Sequence, residues 1–271
     1  MRRGLPVLWI LLGLVLATRA AFVVRTGDPS LGADAGHYDD IARNLAQGNG
    51  FAFSAKMQYP GEVDAVGSPR PTARRPPLYP FVLGGIYRLG LGPRTMLWLQ
   101  VLMAGATGWC LHALARRLGL GDRGALLALA GYLLYPPFVT YVGRLLTETL
   151  FIALLVGGML WLARALDRRR LADFAGTGLL LGLATLARPT TLFLPLALLP
   201  FLVWPWARAP RGWLVLTLVF ALVQTPWVLR NAATFGRFEP TFTSRGYNLF
   251  MGTYPPTRGL SNLPAERQPQ D

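Results

Sequence analysis

Seven apolar runs of 17 residues or more dominate this chain, and a water-soluble fold has no way to hide them all. They are Leu5–Val24, Thr95–Ala115, Gly124–Val142, Thr147–Leu166, Leu171–Ala187, Thr190–Trp206 and Trp213–Leu229, the first of which lies at the N-terminus and the rest beyond residue 94. Each approaches or exceeds the roughly 18 residues that cross a bilayer as a helix. Only helices and closed barrels satisfy their backbone in lipid, and runs of this length predict helices. The expected fold class is therefore an all-α polytopic membrane protein with about seven transmembrane helices. An eighth run, Pro77–Leu89, has 13 residues, which suits an interfacial or re-entrant helix better than a span.

Charge orients the spans. The formal net charge is +14, a value that in a soluble chain would suggest nucleic acid. Here the arginines cluster at the ends of the apolar runs, where they anchor and orient them, so no nucleic-acid partner is expected. With the N-terminus in the cytoplasm and Pro77–Leu89 not crossing, the short inner pieces carry Arg2, Arg3, Arg116, Arg117, Arg123, Arg164, Arg168, Arg169, Arg170, Arg208 and Arg211. The short outer turns carry only Arg144 and Arg188. Letting Pro77–Leu89 cross would invert every later loop and reverse this asymmetry. The organisation that follows is a membrane domain over residues 1–230, with a long outer loop at 25–94, and an outer tail at 231–271. Thr18-Arg19-Ala20 could be cut by a signal peptidase, but the apolar stretch continues past it, which favours an uncleaved anchor. Cys110 is single, lies in an apolar run and reads as a small buried hydrophobe.

The outer loop holds most of the chemistry. Asp34–Gln47 reads as a helix, with Asp34 suited to the N-cap and Gly48 to the C-terminal stop. Tyr38, Ile41, Ala42 and Leu45 form one apolar stripe, expected to lie on the membrane interface. Asp39 and Asp40 are expected on the solvated side, with His37 a solvated neighbour. At the other end of the loop, Arg74 and Arg75 precede Pro76 and Pro77. Two guanidiniums at headgroup depth make a phosphate site, and Tyr38 and Tyr79 are interfacial aromatics beside it. Glu148 is a carboxylate at the outer end of a span, a functional candidate whose plainer explanation is an i, i+4 ion pair with Arg144. Arg188 and Arg230 sit at outer helix ends, as snorkelling anchors or further phosphate contacts. His112, at the inner end of a span, reads as structural. No metal-ligand spacing or nucleotide-binding glycine motif is present, so no cofactor is assigned, a divalent ion being the one addition the chemistry would tolerate.

Five segments, GADAGHYDDIARNLAQGNGF, RRPPLYPFVLGGIYRL, GRLLTETLF, LARPTTLFLPLAL and TPWVLRNAATFGRFEPTFTSRGYNLFMGTYP, resemble in wording and order the GT-C membrane glycosyltransferases. The likeness is to the branch of protein mannosyltransferases, aminoarabinose transferases and lipopolysaccharide-core Rgt-like enzymes (family 39-like). The resemblance implies a GT-C-like bundle with juxtamembrane helices in the first extracytoplasmic loop. It implies transfer of a sugar from a polyprenyl-phosphate donor to a hydroxyl of a lipid, glycan or protein acceptor, outside a bacterial cytoplasmic membrane. It assigns the catalytic carboxylate to Asp34 and the donor-phosphate contact to Arg75. Glu148 is the second catalytic candidate, and Arg74, Tyr38, Tyr79, Arg144, Arg188 and Arg230 complete the candidate substrate site. Relatives of this kind continue with more spans and often a soluble domain, so residues 231–271 are expected to begin a longer region. The competing expectation is a transporter or flippase of an anionic lipid or polysaccharide.

Overall fold

A computed structural model describes residues 5–29, 31–54, 69–203, 209–241 and 253. Arg2, Arg3, Lys56, Trp206, Arg208 and most of the 231–271 tail lie outside the described residues. The elements are α1 (Leu5–Thr26), α2 (Ala33–Ala46), β1 (Ala52–Phe53), β2 (Arg70–Pro71), α3 (Leu78–Arg88), α4 (Pro93–Arg117), α5 (Gly121–Leu134), α6 (Pro136–Thr140), α7 (Glu148–Arg168), α8 (Leu171–Ala187), α9 (Leu194–Val203) and α10 (Pro210–Phe235). Short 3-10 turns at Tyr141–Gly143 and Pro189–Thr191 precede α7 and α9. The molecule is an all-α membrane protein apart from a two-residue antiparallel ladder, which pairs Ala52 with Pro71 and Phe53 with Arg70. That ladder, absent from the sequence expectation, ties the two flanks of the outer loop together.

Helices α1, α4, α7 and α10 are each long and apolar enough to cross a bilayer. The run expected as one span at Gly124–Val142 is instead bent by 63° between α5 and α6. The cause is Pro136-Pro137. Tyr135, before the first proline, is forced to an extended conformation (φ −77°, ψ 110°). The two prolines also lack the N–H groups that would close helix bonds to the carbonyls of Tyr132 and Leu133. Both orphaned carbonyls are filled by one side chain: Arg19 of α1 donates from Nη2 to Tyr132 O at 2.8 Å and from Nη1 to Leu133 O at 3.1 Å. Arg19 is fully buried on the same face of α1 as Leu12, Val15 and Val23. Thr18-Arg19-Ala20 therefore lies within α1, with Arg19 packed and Thr18 exposed. An arginine at this depth is expensive unless backbone acceptors surround it, and here they do. The bent α5–α6 pair is a fifth candidate span, while α8, at 17 residues, and the Pro189–Val203 segment are shorter apolar helices.

Small residues let the remaining helices close. A Cβ on Gly178 of α8 would stand 2.3 Å from the Leu216 carbonyl of α10, so those two backbones meet directly. Gln224 of α10 donates to Gly182 O at 2.8 Å across the same seam. At one end of the bundle α3 lies on α2, where Leu45 Cβ stands 3.0 Å from the would-be Cβ position of Gly84. The apolar stripe of α2 does not face lipid as expected. Tyr38, Ile41 and Ala42 are buried, and Tyr38 and Ala42 join Tyr79, Leu83, Met96, Leu97, Leu145 and Leu150 in one cluster linking α2 and α3 to α4 and α7. Docking onto the bundle buries that stripe more fully than headgroups would, and it fixes α2 against the bundle helices.

Candidate functional site

Asp34 lies in the first turn of α2 but does not cap it. The cap residue is Gly32 (φ −70°, ψ 149°), and no side chain bonds the first free N–H groups. The N-cap expectation for Asp34 is thereby corrected. Its carboxylate, 53% exposed, instead meets Arg75, with Nη2 2.6 Å from Oδ1. The stop at the other end is as expected: Gly48 takes φ +84° just past the last turn.

Arg75 joins three residues of α2. Besides Asp34, its Nη2 lies 2.6 Å from His37 Nδ1. Guanidinium nitrogens only donate, so His37 Nδ1 accepts and the ring proton sits on Nε2. Burial, reinforced by the Arg75 charge, holds the His37 pKa below its ordinary value and keeps the ring neutral. His37 is therefore a half-buried ligand of Arg75 rather than a solvated neighbour, its ring 5.2 Å from that of Phe53. The guanidinium carbon of Arg75 stands 5.8 Å from the centre of the Tyr38 ring, a cation–π distance.

Tyr38 leads to the second charged pair. Its side chain hydrogen-bonds that of Thr147, and burial pushes its phenol pKa up despite the nearby Arg75 charge. Thr147 immediately precedes α7, whose first residue is Glu148. Glu148 pairs with Arg188, Nη1 to Oε1 at 2.6 Å, and not with Arg144. The i, i+4 pairing fails because residues 144 and 148 do not share a helix: Arg144 is extended (φ −127°, ψ 149°) between a 3-10 turn and α7. Arg144 is exposed. The other Glu148 oxygen, Oε2, is buried without a partner among the described residues. Two carboxylate–guanidinium pairs, Asp34–Arg75 and Glu148–Arg188, thus flank Tyr38 and Thr147.

Other candidates have structural work. Asp39 and Asp40, expected in solvent, are both tied down. Asp39 is buried, accepts from Arg43 Nε at 2.7 Å and receives a short hydrogen bond from the Tyr87 hydroxyl. Asp40 accepts from Ser54 N at 2.8 Å and Ser54 Oγ at 2.6 Å. Tyr79 is fully buried and donates its hydroxyl to Gln100 Oε1 at 3.0 Å. Gln100 in turn donates to the carbonyls of Val142 and Arg144, both at 2.9 Å, so the pair holds the segment leading into Glu148. Arg230 donates to Thr72 O at 2.7 Å and Phe51 O at 2.9 Å, and its guanidinium carbon lies 5.0 Å from the Trp227 ring centre. It fastens the outer loop to α10. Arg74 is half-buried beside Arg75, close enough for its charge to act on His37.

An apolar groove of about 570 Å³ opens alongside, lined by Phe51, Pro77, Phe81, Leu186, Val223 and Trp227 among others. Arg230 also lines it, and its lining residues Pro77 and Leu186 lie two residues along the chain from Arg75 and Arg188 respectively. No group of three or more metal-ligating side chains occurs among the described residues. His37, Thr147, Gln100 and Arg19 were not singled out by the sequence as working residues. Gln100 had a legible signal, a lone amide in the middle of an apolar run; Thr147 had none.

A family model described as dolichyl-phosphate-mannose-protein mannosyltransferase matches residues 74–229, more than half of the chain. The match begins at Arg74 and takes in Arg75, Glu148 and Arg188, and it leaves the Asp34 helix outside. No curated protein matches the chain.

Proposed function

Because the chain belongs to the dolichyl-phosphate-mannose-protein mannosyltransferase family of membrane glycosyltransferases, we propose that it moves a sugar from a polyprenyl-phosphate donor to an acceptor hydroxyl on the extracytoplasmic face of a bacterial cytoplasmic membrane. The observation that carries the proposal is a carboxylate and a guanidinium 2.6 Å apart, the guanidinium two residues along the chain from Pro77, which lines an apolar groove.

The chemistry follows from what each group can do. The groove takes the first isoprene units of the donor, leaving its phosphate beside Arg75. The acceptor oxygen bonds to C1 of the sugar as the C1–O bond to phosphate breaks, and the bonding pair leaves on the phosphate oxygen. Arg75 stabilises that developing charge through charge-assisted N–H bonds. Asp34 takes the acceptor's proton. The phosphate leaves as an anion and needs no acid. One displacement from the opposite face inverts the anomeric carbon. Arg188, turned toward the site by Glu148, adds a second positive charge, and Tyr38 supplies the floor between the two pairs. The acceptor is a lipid, glycan or protein hydroxyl reached from the exposed side of Asp34.

The test is incorporation of labelled sugar from lipid-linked donor into product by proteoliposomes, with Asp34→Asn as control. Translocation of the donor without transfer, unchanged in Asp34→Asn, would replace the enzyme by a flippase. Sidedness has its own check. In a Cys110→Ala background, Lys56→Cys and Arg169→Cys should label from opposite sides, as the arginine asymmetry requires. Labelling from one side would mean that α3 crosses.

A further inference from the structure

Nη2 is the crowded nitrogen of Arg75. One of its two hydrogens meets Asp34 Oδ1 and the other His37 Nδ1, each at a heavy-atom distance of 2.6 Å. A guanidinium presents two bidentate edges to an oxyanion, Nη1 with Nη2 and Nε with Nη2. Both edges include Nη2. An arriving phosphate therefore reaches only a single N–H, from Nε or Nη1, until one of the present partners leaves.

The two partners are unequal. His37 is half-buried, neutral and packed against Phe53, so it stays. Asp34 is 53% exposed, and water takes over its solvation when it swings away. An ion pair this exposed is weak, whereas two charge-assisted bonds from one fork to a phosphate are strong. The exchange runs toward the phosphate.

We infer that Asp34 occupies the donor-phosphate position on Arg75, that the donor displaces it, and that this displacement frees the carboxylate to take the acceptor's proton. The inference rests on the proposed role of Arg75 as the donor-phosphate contact. It makes binding ordered: the base turns toward the acceptor only when a donor is in place. When the prenyl phosphate leaves, Asp34 returns to Arg75 and blocks its re-entry. His37 is the positioning residue, keeping the guanidinium aimed while Asp34 is away.

The test is equilibrium binding of farnesyl phosphate, without acceptor, to the full chain in detergent micelles, with farnesol as the phosphate-free control. Removing the competing carboxylate in Asp34→Ala should tighten farnesyl phosphate binding by roughly two- to fivefold, the range of an exposed ion pair, and leave farnesol binding unchanged. Asp34→Asn, which keeps a neutral acceptor in place, should fall between wild type and Asp34→Ala. Equal or weaker binding in both variants, with wild-type binding intact, overturns the exchange and leaves the phosphate site standing. If wild type and Arg75→Ala bind farnesyl phosphate equally, the phosphate site falls and takes the exchange with it.

Discussion

Arg75 and Arg230 both grip the 25–94 loop that carries α2, yet their partners differ in kind. Arg230 spends its donors on main-chain carbonyls, those of Thr72 and Phe51, beneath aromatic rings. A carbonyl in a folded loop cannot leave, so no ligand can replace it. Arg75 is held by two side chains, Asp34 and His37, through one nitrogen. A side chain can rotate away, and the other nitrogens of Arg75 have no hydrogen-bond partner among the described residues. The contrast proposed here between a structural arginine and a ligand-binding one rests on the kind of acceptor around each.

The largest effect that would test this contrast is at Asp34. Asp34→Asn should cut transfer by at least about 100-fold, the low end for a lost general base, with the unfolding midpoint near wild type because Asp34 caps nothing. An active Asp34→Asn enzyme, measured by labelled-sugar transfer, removes Asp34 as the base and moves attention to Glu148.

Next comes Arg75. Loss of charge-assisted bonds in Arg75→Ala should raise the donor concentration needed for half-maximal transfer by roughly 10- to 100-fold, and Arg75→Lys should recover only part because the fork is gone. Steady-state kinetics at varied donor concentration measures both. Arg230→Ala should behave in the opposite way. It leaves two loop carbonyls without donors, which costs about 1–3 kcal/mol in thermal unfolding, while transfer by the folded fraction falls far less than in Arg75→Ala. Equal kinetic losses in the two alanine variants, at equal stability, would erase the distinction drawn here.

The smallest effect is a pH dependence from His37. Its folded-state pKa lies below the ordinary 6.5, first from burial and then from Arg75. Below pH 6.5 the unfolded chain binds the proton more readily, so stability falls as pH drops from 6.5 toward the folded-state value. His37→Gln, which retains an acceptor for Arg75, should flatten that part of the profile. Unfolding midpoints between pH 5 and 8 give the comparison, and identical profiles would show that His37 does not titrate against Arg75.

Much of this could be read along the chain, and the reasons are local. A run of apolar residues declares a membrane helix because every residue in it must be compatible with lipid. The arginine asymmetry orients such helices because short loops are sorted by their own charge. The helical period of 34–47 and its stop at Gly48 depend on φ and on neighbours within one turn. What α2 packs against is not local. Its stripe suited lipid as well as protein, and only docking against α3 and α4 buried it. The bend at Pro136-Pro137 was visible in two prolines, but its remedy, Arg19, lies more than a hundred residues away.

The charged pairs divide in the same way. Hydropathy and charge alone led to the expectation that Asp34, Arg75, Glu148 and Arg188 share one side of the membrane. Tertiary structure decided who pairs with whom. It joined Asp34 to Arg75 across 41 residues and gave Glu148 to Arg188 rather than Arg144. An ion pair is a matter of a few ångströms between side-chain ends, and that distance is set by how helices dock, which no periodicity within a single helix contains.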